Sequence, residues 1–183
     1  MAFLQGHLLI AAPRLADPNF RRSVVLLVVH DEHGAFGLVL NRPADHPLAE
    51  VWEAMADQPC DRHQRLYVGG PVPGPILALH ALAVCSEREV VPGVHFAARK
   101  DLLSRIVRQT EEPFRIFTGY SGWAAGQLER ELGAGGWLNL PATAAYVFAD
   151  PEAVWSQAIQ RVGEQITEPL LGRVPRPRDP TAN

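Results

Sequence analysis

The sequence predicts an α+β (mixed α/β) fold built as a single domain, and three observations carry that prediction. Ser23–His30 (SVVLLVVH) is an apolar run without alternation, the pattern of a strand buried on both faces. The segment 99–110 (RKDLLSRIVRQT) places Leu102, Leu103, Ile106 and Val107 on one face and Lys100, Arg105 and Arg108 on the other, the pattern of an amphipathic helix. The chain has 183 residues, 47% hydrophobic and 20% charged, enough for one core, and no internal linker divides it. Adjacent strands mixed with isolated helices fit this class better than a doubly wound parallel sheet.

The elements follow in order. After Ser23–His30 a turn, HDEHGAFG, is eased by Gly34 and Gly37, and GLVLN resumes extended structure, so a central hairpin is expected. HPLAEVWEAM reads as a helix with Pro47 in its first turn. RLYVGG and PILALHAL read as strands separated by the turn-rich GGPVPGP, and VVPGVHFAA as a short strand pair around Pro92–Gly93. FRIF is a strand that meets the stretch GYSGW, read as a turn into the helix QLERE. GWLNL and AYVF read as strands. The last helix starts with Asp150 as N-cap and Pro151 next, and Val154, Ala158, Ile159, Val162 and Ile166 line one face. From residue 172 the chain is Pro- and Arg-rich without apolar periodicity and is expected to be a disordered tail, which leaves 1–171 as the domain.

Composition narrows the function classes. Seventeen basic and twenty acidic side chains give a net charge of -3, against the basic footprint of most nucleic-acid binders, so nucleic acid is not expected to cover the whole surface. Cys60 and Cys85 form neither a C-x-x-C pair nor a disulfide framework, which points to reduced thiols in a cytoplasmic protein. HLLIAA is too short for a signal-peptide core, and no apolar stretch approaches the roughly 20 residues of a membrane span.

The candidate chemistry is weighed residue by residue. Ser121 in Gly119-Tyr120-Ser121-Gly122-Trp123 imitates a nucleophile elbow, but Trp123 stands where the second glycine belongs and no histidine follows His95. A turn or cap serine is the better reading. His30 and His33 flank Asp31 and Glu32, the ligand types of a metal site, yet no second cluster supplies the remaining ligands, and Cys60-x-x-His63 is too weak, so no metal is expected. Gly69 and Gly70 open a glycine-rich loop without either phosphate-loop spacing, more consistent with close backbone packing. Asn41 and Arg42 end a strand and can present donors to a carboxylate or phosphate. Leu128 and Leu132 give the core face of QLERE, which puts Glu129 and Glu131 on or near its solvated side.

Three blocks together, GHLLIAAPRLADPNFRRSVVLLVVHDEHGAFGLVLNRP, VGGPV and FTGYSGWAAGQLERELGAGGWL, resemble the YqgE/AlgH family of bacterial proteins in content and order over roughly residues 4 to 165. His30, Gly34, Gly37, Asn41, Arg42, Pro43, Gly69, Gly70, Pro71, Trp123, Gln127, Leu128 and Glu129 match the family pattern, whereas Ser121 replaces its usual alanine and His33 is atypical. The resemblance implies a mixed, bifurcated sheet with a small barrel-like portion surrounded by helices. It implies no agreed substrate, catalytic residue or cofactor, while the AlgH name carries a role in transcriptional regulation. The expected function is therefore a non-enzymatic binding or regulatory protein with an unknown protein or small-molecule partner. Its candidate ligand-binding residues are His30, Asn41, Arg42, Gly69, Gly70, Tyr120 and Trp123, read as clustered at strand exits. The alternative is a hydrolase or transferase acting on a small anionic ligand, with Arg42 as anchor and His30 as base.

Overall fold

The apolar runs pair into one forked sheet in the computed structural model, which describes residues 3–56, 62, 64–109 and 111–171. The Pro- and Arg-rich tail, Cys60 and His63 lie outside the described residues. Strands β1 (His7–Ala11), β2 (Val24–Asp31) and β3 (Gly34–Val39) are followed by β4 (Pro43–Pro47) and helix α1 (Leu48–Ala56). Then come β5 (Arg65–Val68), β6 (Val72–His80), β7 (Arg88–Val91), β8 (Val94–Ala97) and α2 (Lys100–Gln109). The chain closes with β9 (Phe114–Ala124), α3 (Gln127–Gly133), β10 (Trp137–Pro141), α4 (Ala144–Val147) and α5 (Val154–Leu171).

The main sheet runs β10-β1-β2-β3-β9-β6-β8-β7. It forks at β9, whose first half pairs in parallel with β5 and whose second half pairs antiparallel with β3. Its two ends curl toward one another. Val90 and Val91 share a core with Leu8 and Leu140, and Gly6 abuts the Val90 carbonyl, so the sheet forms a half-barrel. β2 is apolar on both faces because each face has its own core. Val24, Leu26 and Val28 point into the curl with α5, whereas Val25 and Leu27 pack with Leu128, Trp123 and Trp137. A third core lies where Leu102, Leu103, Ile106 and Val107 of α2 cover the sheet beside Trp52 of α1.

Several local expectations are corrected. The strand resumes at Gly34, so the β2–β3 turn is short, and β6 begins inside the expected GGPVPGP turn. GYSGW is no turn: β9 runs through it to Ala124, with Ser121 paired to Gly37, because a strand on its β3 edge can accommodate its glycines. AYVF is the helix α4, a pattern too short for periodicity to decide. Asp150 caps the turn before α5 through its Oδ1, which accepts from the Glu152 N–H, but Ile166 is 61% exposed because the helix has run past the core. No helix among the described residues is long and apolar enough to cross a membrane.

One core residue carries a pH prediction. His80 on β6 is fully buried opposite His95 of β8, with neither ring nitrogen hydrogen-bonded. Burial foremost, then the His95 charge, lowers its pKa from 6.5 to about 4, opposed by the Leu82 backbone. The unfolded chain therefore binds this proton more readily, so the group costs no stability above about pH 7 and stability is lost as pH falls from 6.5 toward 4. The loss at pH 5 is about 2 kcal/mol. Urea unfolding of His80→Leu should show that much less acid destabilisation than wild type, and an unchanged acid limb would assign the effect to another group.

Candidate ligand-binding site

The register of β2 decides which candidate residues can meet. His30 sits beside Ala35 at one end of the β2–β3 hairpin, and the Asn41 side chain accepts from the Val24 N–H at the other. Six residues of strand separate those ends, about 20 Å. The expected single cluster is therefore two, and no described crevice joins Arg42 to His30.

His30 is 5% exposed and engaged on both nitrogens. Its Nδ1 accepts from the Leu4 N–H at 2.9 Å, which leaves the proton on Nε2 to be donated to Glu129 Oε1 at 3.0 Å. The Glu129 carboxyl is held below the usual range first by its own backbone N–H and then by His30, against partial burial. His30 thus ties the N-terminal segment and α3 to β2, while His33 is exposed and pairs with Glu32 at 3.6 Å, and the two histidines form no metal-ligating cluster among the described residues. Asn41 also has a structural role, donating through Nδ2 to the Arg22 carbonyl at 2.8 Å.

Gly69 and Gly70 lie at the fork. The Gly69 carbonyl accepts from the Val39 N–H and from the buried Ser121 hydroxyl, and its N–H donates to Thr118 O. This one residue thus joins β3 to β9. Tyr120 is half-buried against Phe36, ring centroids 5.2 Å apart. Ser121, fully buried and committed to Gly69, presents no free nucleophile.

Trp123 opens on a crevice of about 570 Å³. Its lining comes from the loop after β1 (Arg14 to Asp17 and Phe20), from Pro71, and from Gly122, Trp123, Gln127, Glu131 and Trp137. Phe20 lies along Trp123 at 6.0 Å and edge-on to Trp137 at 5.2 Å. Glu131 organises this wall. Its Oε2 accepts from the indole N–H groups of Trp123 at 3.0 Å and Trp137 at 2.8 Å, and its Oε1 accepts from Gln127 Nε2 at 3.0 Å. Gln127 Oε1 in turn accepts from the Ala124 N–H, which closes the turn into α3. Three donors fix the carboxylate, with one acceptor direction left over. Asn41 and Arg42 line a different crevice, with Arg21, Arg22 and Trp155.

Sequence reasoning missed Glu131, Phe20 and Trp137. The Leu128–Leu132 pair puts Glu131 on or near the solvated side of α3, but Leu132 is only half-buried and the Glu131 carboxylate turns to the two indoles. The one available signal was two tryptophans, Trp123 and Trp137, flanking an acidic helix, since buried indole N–H groups need an acceptor.

Comparison with known proteins agrees with this architecture. The AlgH-like family model matches residues 8–167. UPF0301 protein AlgH of Pseudomonas aeruginosa is 41% identical over 175 residues, 90% of this chain and 92% of its own. A UPF0301 protein of Xanthomonas axonopodis pv. citri is 39% identical over 168 residues, 87% and 89% of the two chains. The solution structure of AlgH from Pseudomonas aeruginosa superposes with a TM-score of 0.76 at 38% identity and 95% coverage of both chains. A crystal structure from Corynebacterium diphtheriae gives 0.70 at 26% identity and 85% coverage of both. With the forked half-barrel and the matched length in agreement, the chain belongs to the AlgH-like family.

Proposed function

We propose that this protein is a non-enzymatic binding or regulatory protein that takes a small amphipathic ligand in the Trp123 crevice. The observation that carries the reading is convergence. The three blocks quoted above are far apart in sequence, yet each contributes to this one cavity, through Phe20, Pro71 and Trp123 among others. Aromatic walls with a few fixed polar groups are the usual make-up of a small-molecule site. The ligand would lay an apolar or aromatic body against Phe20 and Trp137 and direct an N–H donor at Glu131. Binding is favoured over catalysis because the side chains best suited to acid–base or nucleophilic work, His30 and Ser121, are spent on structure. Buried, unpaired Cys85 supports action in a reducing compartment such as the cytoplasm.

The test is a screen of aromatic-amine fragments against the full chain by NMR. Hits should move the Trp123 and Trp137 indole N–H signals. Ala16→Trp, which fills the mouth of the crevice, should weaken them about fivefold with an unfolding midpoint within about 2 °C of wild type. Hits that map elsewhere, or that ignore Ala16→Trp, would refute the assignment.

A further inference from the structure

Two further crevices, about 540 and 570 Å³ in volume, lie around the end of β3 and the entry to α5. They adjoin over Pro43, Pro151 and Glu152 and form one trough between the exit of β3, the start of β9 and the entry to α5. Three arginines define it. Arg22 lies over the Trp155 ring at 5.5 Å. Arg42 is half-buried and its one side-chain hydrogen bond is a long one, from Nη2 to the Pro18 carbonyl at 3.3 Å. Arg115 is 6% exposed, donates to the carbonyls of Leu40 (2.7 Å) and Ala149, and lies over Tyr67 at 4.8 Å.

None of the three forms an ion pair among the described residues. That is unusual for half-buried Arg42 and buried Arg115, because a cation removed from water is ordinarily matched by a carboxylate, whereas Arg22 is exposed. Asp150 and Glu152 line the trough and Asp17 stands beside it, but none is in ion-pair contact with these arginines. Asp17 spends Oδ1 on the Asn19 N–H, Asp150 caps the Glu152 N–H, and Glu152 is exposed at the rim. Burial pushes the Arg42 guanidinium below the usual arginine range, opposed by Asp17. It does the same to Arg115, opposed by Tyr67 and Asp150. Arginine stays protonated at neutral pH, so the trough holds partly desolvated positive charge with no ion-paired carboxylate among the described residues.

We propose that this trough binds a soluble organic phosphate, whose phosphoryl oxygens take the guanidinium forks of Arg42 and Arg22 beneath Arg115. Phosphate fits better than carboxylate because several forks spread along one trough match a multiply charged, multi-oxygen group. The walls also suit the rest of such a ligand, with Trp155 and Tyr67 as flat apolar surfaces. This site shares no lining residue with the Trp123 crevice, which it meets across the segment 17–22, and it involves no bond making.

The experiment titrates the full chain with pyrophosphate at low salt, about 50 mM, reading the arginine Nε–H and Trp155 indole signals by NMR. Saturable shifts confined to the trough are expected. Arg42→Gln should weaken binding about tenfold. Arg99→Gln, an exposed arginine paired with Asp101, should leave it unchanged. Citrate tests a carboxylate ligand, and phosphatidylglycerol vesicles test a lipid headgroup. Thermal unfolding confirms that Arg42→Gln is folded. Tighter binding of pyrophosphate than of citrate, with that variant pattern, supports the proposal. Non-saturating shifts, equal losses in Arg42→Gln and Arg99→Gln, a preference for citrate, or binding to vesicles alone would each overturn it.

Discussion

Gly70→Ala should destabilise the protein by about 4 kcal/mol, combining a strained backbone with overpacking, and lower its unfolding midpoint by about 10 °C. Gly70 has φ +157°, and a Cβ built on it lies 2.3 Å from the backbone carbon and oxygen of Tyr120. Neither atom can give way, because both belong to β9, the strand at which the sheet forks. Gly69 before it faces the Gly119 carbonyl at 2.4 Å in the same way. The segment must pass flush against β9 to let Gly69 hydrogen-bond both β3 and β9, and only glycine fits. Gly163→Ala is the matching control. That helical position has nothing within 4 Å, so removing backbone freedom there should stabilise by about 0.5–1 kcal/mol. Denaturant unfolding of both variants checks the pair, and a Gly70→Ala loss under about 1 kcal/mol would show that the fork tolerates a side chain.

Glu131→Ala is expected to cost about 3 kcal/mol, because it orphans two indole N–H donors on tryptophans that are 5% and 3% exposed. Gln127 Nε2 loses its acceptor as well, which leaves the side chain that closes the turn into α3 held only through its Oε1. Glu131→Gln keeps one carbonyl oxygen for the indoles but sets an amide N–H₂ against that of Gln127, so an intermediate loss of about 1 kcal/mol is expected. The diagnostic reading is spectroscopic as well as thermodynamic. In Glu131→Ala the Trp123 and Trp137 indole proton signals should move together upfield, which a general loss of stability would not produce. If Glu131→Ala unfolds within about 0.5 kcal/mol of wild type, the carboxylate is not the organising group of this wall.

These two variants divide the candidate residues by role. Gly69, Gly70, Tyr120 and His30 build the frame, Asn41 both braces it and lines the Arg42 crevice, and Trp123 forms part of the wall of a separate crevice. Binding residues and frame residues carry similar polar chemistry in the sequence. His30 and Ser121 have spent their polar atoms inside the fold, whereas the Arg42 guanidinium keeps donors that the fold does not use.

The apolar pattern was legible wherever a segment is long and its environment uniform. SVVLLVVH had to be a strand covered on both faces, and RKDLLSRIVRQT had to be a helix on a core, since burial dictates those periods locally. The prediction of the α+β class from that pattern holds. GYSGW, AYVF and the start of β6 were not legible, because glycines, prolines and four-residue apolar runs suit several conformations and the neighbouring strand selects among them. The grouping of functional side chains was decided entirely by tertiary structure. Pairing register sent His30 and Arg42 to opposite ends of one hairpin, and it brought Phe20, Trp123, Glu131 and Trp137, spread over more than a hundred residues, around a single cavity. Sequence alone determined which segments must be buried, because that depends on each residue's own transfer from water. Which polar groups remain free to bind depends on partners distant in the chain, and only the folded sheet supplies those.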